Sequence, residues 1–264
     1  GVASMLEIAR YLVENPPRRT VKFIAAPGHF QALSGARDYA QEAMYDRRGL
    51  DAGAGRGEGE SYFFIGLDLS SRHNSLGAFF KGNFYDQLGT SEAELRRAYS
   101  ELSAVISQWM DTVTERGAPA ESLVYHSGIV PERGRDWRSL MPDLVAFDSE
   151  VVTLCGYPAL TLATTGDPRN AVNTPLDSFA NMTLSSMANV KRQAIASAVA
   201  IKNMADLPVL PVQHTKVWDK REAASVFGYT IEVSLLAYMP KVPVPNTVAA
   251  VNMLGQATAR SKTM

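Results

Sequence analysis

Residues 62–69, YFFIGLDL, are a short apolar run that ends in a carboxylate, Asp68. A run of this length is typical of a strand buried on both faces, as in parallel sheets. α/β sheets place their ligand sites at the carboxyl ends of such strands, which makes Asp68 a candidate functional residue. The alternative is that Asp68 only caps the start of a neighbouring helix.

Other segments on both sides of this run extend the same pattern. Short apolar runs predict further strands at residues 21–26, 75–85, 123–126 and 157–163. Apolar side chains at three- and four-residue spacing predict helices over residues 2–13, 32–47, 91–115 and 177–204. Strands that alternate with helices in this way predict an α/β domain with a mainly parallel sheet.

The character of the sequence changes after Leu207. Residues 207–212, LPVLPV, are rich in proline, and residues 230–238 and 247–251 alternate like two strands of a hairpin. We therefore predict an α/β domain over residues 1–206, followed at 207–264 by a proline-rich linker and the start of a β-rich segment. Because the first helical pattern has no lead-in, we also expect the natural chain to begin upstream.

Composition excludes several classes of function. The 26 basic and 27 acidic residues nearly cancel, so no excess positive charge points to nucleic acid. A single cysteine, Cys155, excludes a disulfide framework and a four-cysteine zinc site. No apolar run reaches the ~18 residues that a membrane span needs. None of the four histidines pairs with another at helical spacing, so a helix-borne zinc motif is not supported.

A second acidic group precedes a short apolar stretch. Asp148 and Glu150 lie directly before Val151 and Val152, so they are candidates for a cleft. The alternative for Asp148 is a capping role at a helix start.

Five segments, taken in order, resemble a known family, the co-catalytic di-zinc exopeptidases, which include bacterial leucyl aminopeptidases and glutamate carboxypeptidase. Residues 1–7 (GVASMLE) and 23–37 (FIAAPGHFQALSGAR) are similar to the family's Gly-Val-Ala helix and its FVAFxGEExGLxGSR segment. Residues 66–69 (GLDL) resemble NLDM, residues 155–160 (CGYPAL) resemble AGIPAL, and residues 173–178 (NTPLDS) resemble HTPxDT. The resemblance covers residues 1 to about 205. It implies a three-layer sandwich with a mixed, mainly parallel central sheet flanked by helices.

The resemblance also implies a site with two zinc ions, in which a glutamate is the general base. At the positions of the family's base and of its next metal ligand this sequence has His29 and Phe30, and at the final histidine ligand it has Asn173. A phenyl ring cannot bind zinc, and a carboxamide is a poor zinc ligand. Of the metal-ligand positions in this sequence, only Asp68 has a side chain of a type that binds zinc. The family's remaining ligands would precede Gly1.

Two functions follow from this comparison with the family. The first is an exopeptidase-like domain with a degraded metal site and no cofactor, acting as a non-catalytic binding or structural module. Its partner would be a peptide or protein, within a larger extracytoplasmic or membrane-associated protein. The alternative is an active metal-dependent aminopeptidase or amidohydrolase, with zinc in a rearranged site that uses His29 and Asp68. Under the first, we expect the Phe30 ring to fill the old metal cavity.

Overall fold

Four short strands form the sheet at the centre of the computed structural model. They are β1 (Phe64–Asp68), β2 (Ser75–Phe79), β3 (Val124–Ser127) and β4 (Ala159–Thr164), in the spatial order β1-β4-β2-β3. β1 pairs with β4 and β2 with β3 in parallel, whereas β2 and β4 are antiparallel. The sheet is therefore mixed and mainly parallel, which confirms the expected α/β fold class. The structure describes residues 1–31, 33–40, 63–82, 92–114, 123–132, 136–141, 145–154, 157–172, 174–212, 247–251 and 257–261.

Five helices accompany the sheet in this part of the chain. They are α1 (Val2–Glu14), α2 (Ser34–Tyr39), α3 (Glu92–Thr114), α4 (Asp148–Leu154) and α5 (Leu184–Asp206). α5 begins seven residues later than its pattern predicts, because Thr183 accepts a hydrogen bond from the backbone N–H of Ser186 and caps the helix there. The segment before it forms turns, in which the Asn181 amide donates to the Leu176 carbonyl. α4 was not predicted, because its seven residues are too few to show a helical period.

The helices cover both faces of the sheet. On one face of β4, Thr161 contacts Ser149 of α4 through their hydroxyl groups, 2.6 Å apart. On the other face, the Thr164 hydroxyl donates to Gln193 of α5 at 2.5 Å. Side chains three positions apart on a strand point to opposite faces, so the sheet lies between helical layers. All six β4 residues are buried.

The predicted strand at residues 21–26 is wrong. No strand forms there, and the side chains of Lys22, Phe23 and Ala25 are exposed. A strand needs a neighbour to satisfy its backbone N–H and C=O groups. In the described part of the chain β1 pairs only with β4, and residues 21–26 pair with neither. An apolar run was therefore not sufficient to define a strand at this position.

The segment after α5 remains attached to the α/β core. Arg19 donates to the carbonyl oxygens of Met204, Leu207 and Pro208. Leu210 and Val212 pack against the main hydrophobic cluster. Residues 207–212 are thus in contact with the domain.

Two further strands, β5 (Thr247–Val251) and β6 (Ala257–Ser261), form an antiparallel pair. β5 was predicted and β6 was not, while residues 230–238 lie outside the described residues, as does Cys155. Among the helices that the structure describes, none is both long enough and apolar enough to cross a bilayer.

Candidate functional site

The candidate site lies where β1 and β4 end. These strands are parallel, and Asp68 at the end of β1 is in register with Ala163 near the end of β4. β2 begins at the same edge, because Leu76 is paired with Thr164 in the antiparallel direction. Backbone N–H and C=O groups beyond the last sheet hydrogen bonds are therefore concentrated at this edge of the sheet.

Asp68 forms an ion pair with Arg169. The Arg169 Nη1 atom donates to Asp68 Oδ1 at 2.6 Å. Nη2 donates to the Asp68 carbonyl oxygen at 3.1 Å and to the Thr164 carbonyl oxygen at 3.4 Å. The two side chains are only 16% and 25% exposed, so the pair is partly shielded from water. The guanidinium thus binds both strand ends and neutralises the Asp68 carboxylate.

A second carboxylate, that of Asp167, contacts the same guanidinium. Asp167 is buried, its Oδ1 accepts the backbone N–H of Arg169 at 3.0 Å, and its Oδ2 lies 3.6 Å from Arg169 Nε. Neither Oδ2 nor Nε has a hydrogen-bond partner among the described residues. Arg169 has a φ of 55°, a left-handed backbone that only glycine adopts easily. That backbone and the Asp167 hydrogen bond together define the turn from which the guanidinium reaches Asp68.

The sequence analysis did not identify Asp167 or Arg169. Their position in the sequence could have indicated them, because Asp-Pro-Arg at 167–169 follows the predicted strand 157–163. In a parallel sheet the neighbour of that strand could be the strand that ends at Asp68. Strand order could not be known from the sequence, so the two ends could not be placed side by side.

His29 pairs with Asp148 close to this ion pair. Their Nδ1 and Oδ1 atoms are 3.3 Å apart, and each side chain is about one-third exposed, at 34% and 30%. The hydrogen bond to Asp148 raises the pKa of His29, and burial opposes that shift. The charges of Asp68 and Arg169 also reach His29, with opposite signs. Three of the predicted site residues, His29, Asp68 and Asp148, are therefore in one electrostatic neighbourhood.

The other predicted site residues do not join this group. Phe30 packs edge-on against His29 with ring centroids 5.0 Å apart, but it is 67% exposed. It therefore does not fill an enclosed cavity, and the expectation that it would is wrong. Asn173 lies outside the described residues.

Glu150 has a structural role. It is completely buried, and its carboxylate accepts the backbone N–H groups of Gly82 at 2.6 Å and of Phe147 at 2.7 Å. Phe147 precedes the first residue of α4, so Glu150 closes that helix start in the manner of a capping box. Its carboxylate is used inside the fold and does not line a cleft.

A serine and a histidine also meet at this edge without forming a nucleophile. His73 Nδ1 lies 2.7 Å from Ser75 Oγ, whose own proton is donated to the Thr165 carbonyl oxygen. Nδ1 must then be the donor, so the ring cannot take a proton from Ser75. Ser75 is buried as well, which excludes attack on a substrate.

The described residues do not fit the two-zinc site that the resemblance implies. Among them, no three histidine, cysteine, aspartate or glutamate side chains are grouped closely enough to bind a metal ion. Asp68 keeps a side chain of a type that binds zinc, but its carboxylate is paired with Arg169. The Phe30 ring has no atom that could bind the metal.

The mixed, mainly parallel sheet with flanking helices and a polar site at its strand ends is consistent with the zinc-exopeptidase architecture. The family model for peptidase family M28 matches residues 1–198, and the chain belongs to that family. Comparisons with curated proteins and with solved structures give no significant match.

Proposed function

We propose that this chain is a peptidase-family domain that has lost its metal site and acts as a non-catalytic module. It would bind a peptide or protein segment, or serve a structural role, within an exported or membrane-associated protein. The proposal takes residues 1–206 as the domain, and the family match over residues 1–198 supports that extent.

One observation carries the proposal: the Arg169 guanidinium lies 2.6 Å from the carboxylate of Asp68. A zinc ion bound by Asp68 would require that oxygen at about 2.0–2.2 Å, and the positive guanidinium would have to leave. If the guanidinium left, the buried carboxylate of Asp167 would have no positive charge to compensate its own negative charge. The ion pair therefore opposes metal binding through both space and charge.

Metal content tests the proposal directly. The full chain is loaded with zinc, free metal is removed by gel filtration, and bound metal is measured by elemental analysis. We expect no zinc to remain on the chain. Two tightly bound zinc ions per chain would overturn the proposal, as would chelator-sensitive cleavage of dipeptides.

A second function is favoured by one observation of its own: His29 Nδ1 lies 3.3 Å from Asp148 Oδ1, and the charge of Asp68 also acts on the imidazole. In this alternative, the chain is a metal-dependent aminopeptidase or amidohydrolase with a rearranged site that uses His29 and Asp68. His29→Ala and Asp68→Ala would then each abolish cleavage of aminoacyl anilides, whereas Glu7→Ala on the exposed face of α1 would not. Cleavage that survives both site substitutions contradicts this alternative.

A further inference from the structure

We infer that the carboxyl ends of β1 and β4 form an all-oxygen cation site whose resident cation is the Arg169 guanidinium. A hard divalent ion of the calcium type would take this site when the side chain is removed. The inference rests on the proposed function, in which Asp68 no longer binds a catalytic metal. It assigns the site a different occupant and a different ligand chemistry.

Four oxygen atoms surround the guanidinium. Asp68 contributes Oδ1 at 2.6 Å and its carbonyl oxygen at 3.1 Å, and Thr164 contributes its carbonyl oxygen at 3.4 Å. Asp167 contributes Oδ2, 3.6 Å from Nε. Two carboxylates and two carbonyls are the donor set of a hard cation, whereas zinc prefers nitrogen and sulfur.

Asp167 provides an independent indication that the site requires a cation. Its side chain is 1% exposed, and its Oδ2 accepts no hydrogen bond from any described residue. A buried carboxylate oxygen without a hydrogen bond is costly unless a positive charge is close. The Arg169 guanidinium is that charge, at the distance of an ion pair.

The backbone at Arg169 lies in the left-handed region. A φ of 55° strains any residue other than glycine, and asparagine tolerates it best of the rest. Arginine at this position accepts the strain, and the same turn directs its guanidinium to Asp68. The strain is thus associated with the ion pair.

The test compares wild type with Arg169→Gly, which relieves the backbone strain while it removes the cation. The melting temperature of the full chain is measured with EDTA, with millimolar calcium and with millimolar zinc. We expect calcium and EDTA to leave wild type unchanged. Arg169→Gly should melt roughly 5–15 °C lower in EDTA, because two carboxylates lose their counter-charge. Calcium should restore several degrees, and zinc should restore less.

Two further variants make the result specific. Arg169→Gly combined with Asp68→Asn should lose the calcium response, because one carboxylate is gone. Arg10→Ala removes the same charge from an exposed pair with Glu7 and should show neither the large loss nor the calcium response. If Arg169→Gly does not fold in EDTA, it should refold in calcium.

Several outcomes would overturn the inference. They are an Arg169→Gly variant as stable as wild type, one that calcium does not stabilise in melting or refolding, or a wild type that calcium stabilises equally. None of these bears on the proposed function, which depends on zinc content and peptide cleavage by wild type. Zinc-dependent cleavage by wild type would instead contradict the proposed function.

Discussion

The hydrogen bond between His29 and Asp148 makes the stability of the domain depend on pH. The pKa of His29 is raised from its ordinary 6.5, chiefly by that hydrogen bond. The protonated pair therefore stabilises the fold fully below about 6.5, and its contribution is lost as the pH rises through the raised value. Because both side chains are about one-third exposed, the effect should stay below about 1 kcal/mol.

The measurement is the difference in unfolding free energy between wild type and His29→Gln, followed from acidic to mildly alkaline pH. We expect the advantage of wild type to decline as the pH rises. Asp148→Asn should remove the same dependence. An advantage that increases with pH contradicts the assignment of this pair.

The hydroxyl group of Tyr99 should make a measurable contribution to the stability of the fold. Its hydroxyl donates to the Ala159 carbonyl and accepts the Ala159 N–H, both at 2.9 Å, so it satisfies the backbone where β4 begins. Tyr99→Phe keeps the ring stacked on Phe80 but leaves two buried backbone groups without partners. We expect a loss of about 1–3 kcal/mol in urea unfolding. Tyr11→Phe in half-buried surroundings should cost less than half as much.

The candidate site could be predicted from the sequence only in part, for a reason that Asp68 and Arg169 make clear. Asp68 was predictable because a carboxylate that ends an apolar run is a local pattern. Its partner is set by the pairing of β1 with β4, which joins segments far apart in the sequence. No local pattern reports that pairing, so the guanidinium that changes the chemistry of Asp68 was not predicted.

At the scale of elements, α4 depends on the buried carboxylate of Glu150. Glu150→Ala would leave the N–H groups of Gly82 and Phe147 buried without acceptors. We expect a loss of roughly 2–5 kcal/mol, and a smaller one for Glu150→Gln, which keeps an acceptor. Asp148→Asn in the same turn is the control and should cost under about 1 kcal/mol. Equal losses for Glu150→Ala and Asp148→Asn would contradict the capping role.

The elements also show which sequence patterns were sufficient to predict a helix or a strand. The long amphipathic helices α3 and α5 and the apolar strands β1 and β4 were predictable because each is specified by its own residues. Residues 21–26 have the composition of a strand but lack a neighbouring strand to pair with in the described chain. α4 forms because Glu150 and tertiary packing define its start, and a seven-residue segment carries no period of its own.

At the scale of the whole molecule, Arg19 joins the segment after residue 206 to the α/β core. Its guanidinium donates to carbonyls of Leu207 and Pro208, and Leu210 and Val212 pack on the core. A chain that ends at residue 206 should therefore melt several degrees lower than a chain that ends at residue 212, since it loses this apolar burial. Equal melting of the two shortened chains would contradict the prediction.

The order of strands in the sheet has a consequence for how the chain folds during synthesis. β1 and β2 both pair with β4, which lies far downstream. Until β4 has left the ribosome, β2 can join only β3, and among the described strands β1 has no neighbour to join. Contacts between such distant segments slow folding, and unpaired apolar strands are prone to aggregate in the meantime. The four-stranded sheet should therefore be complete only after β4 has been synthesised, because β4 joins β1 to β2.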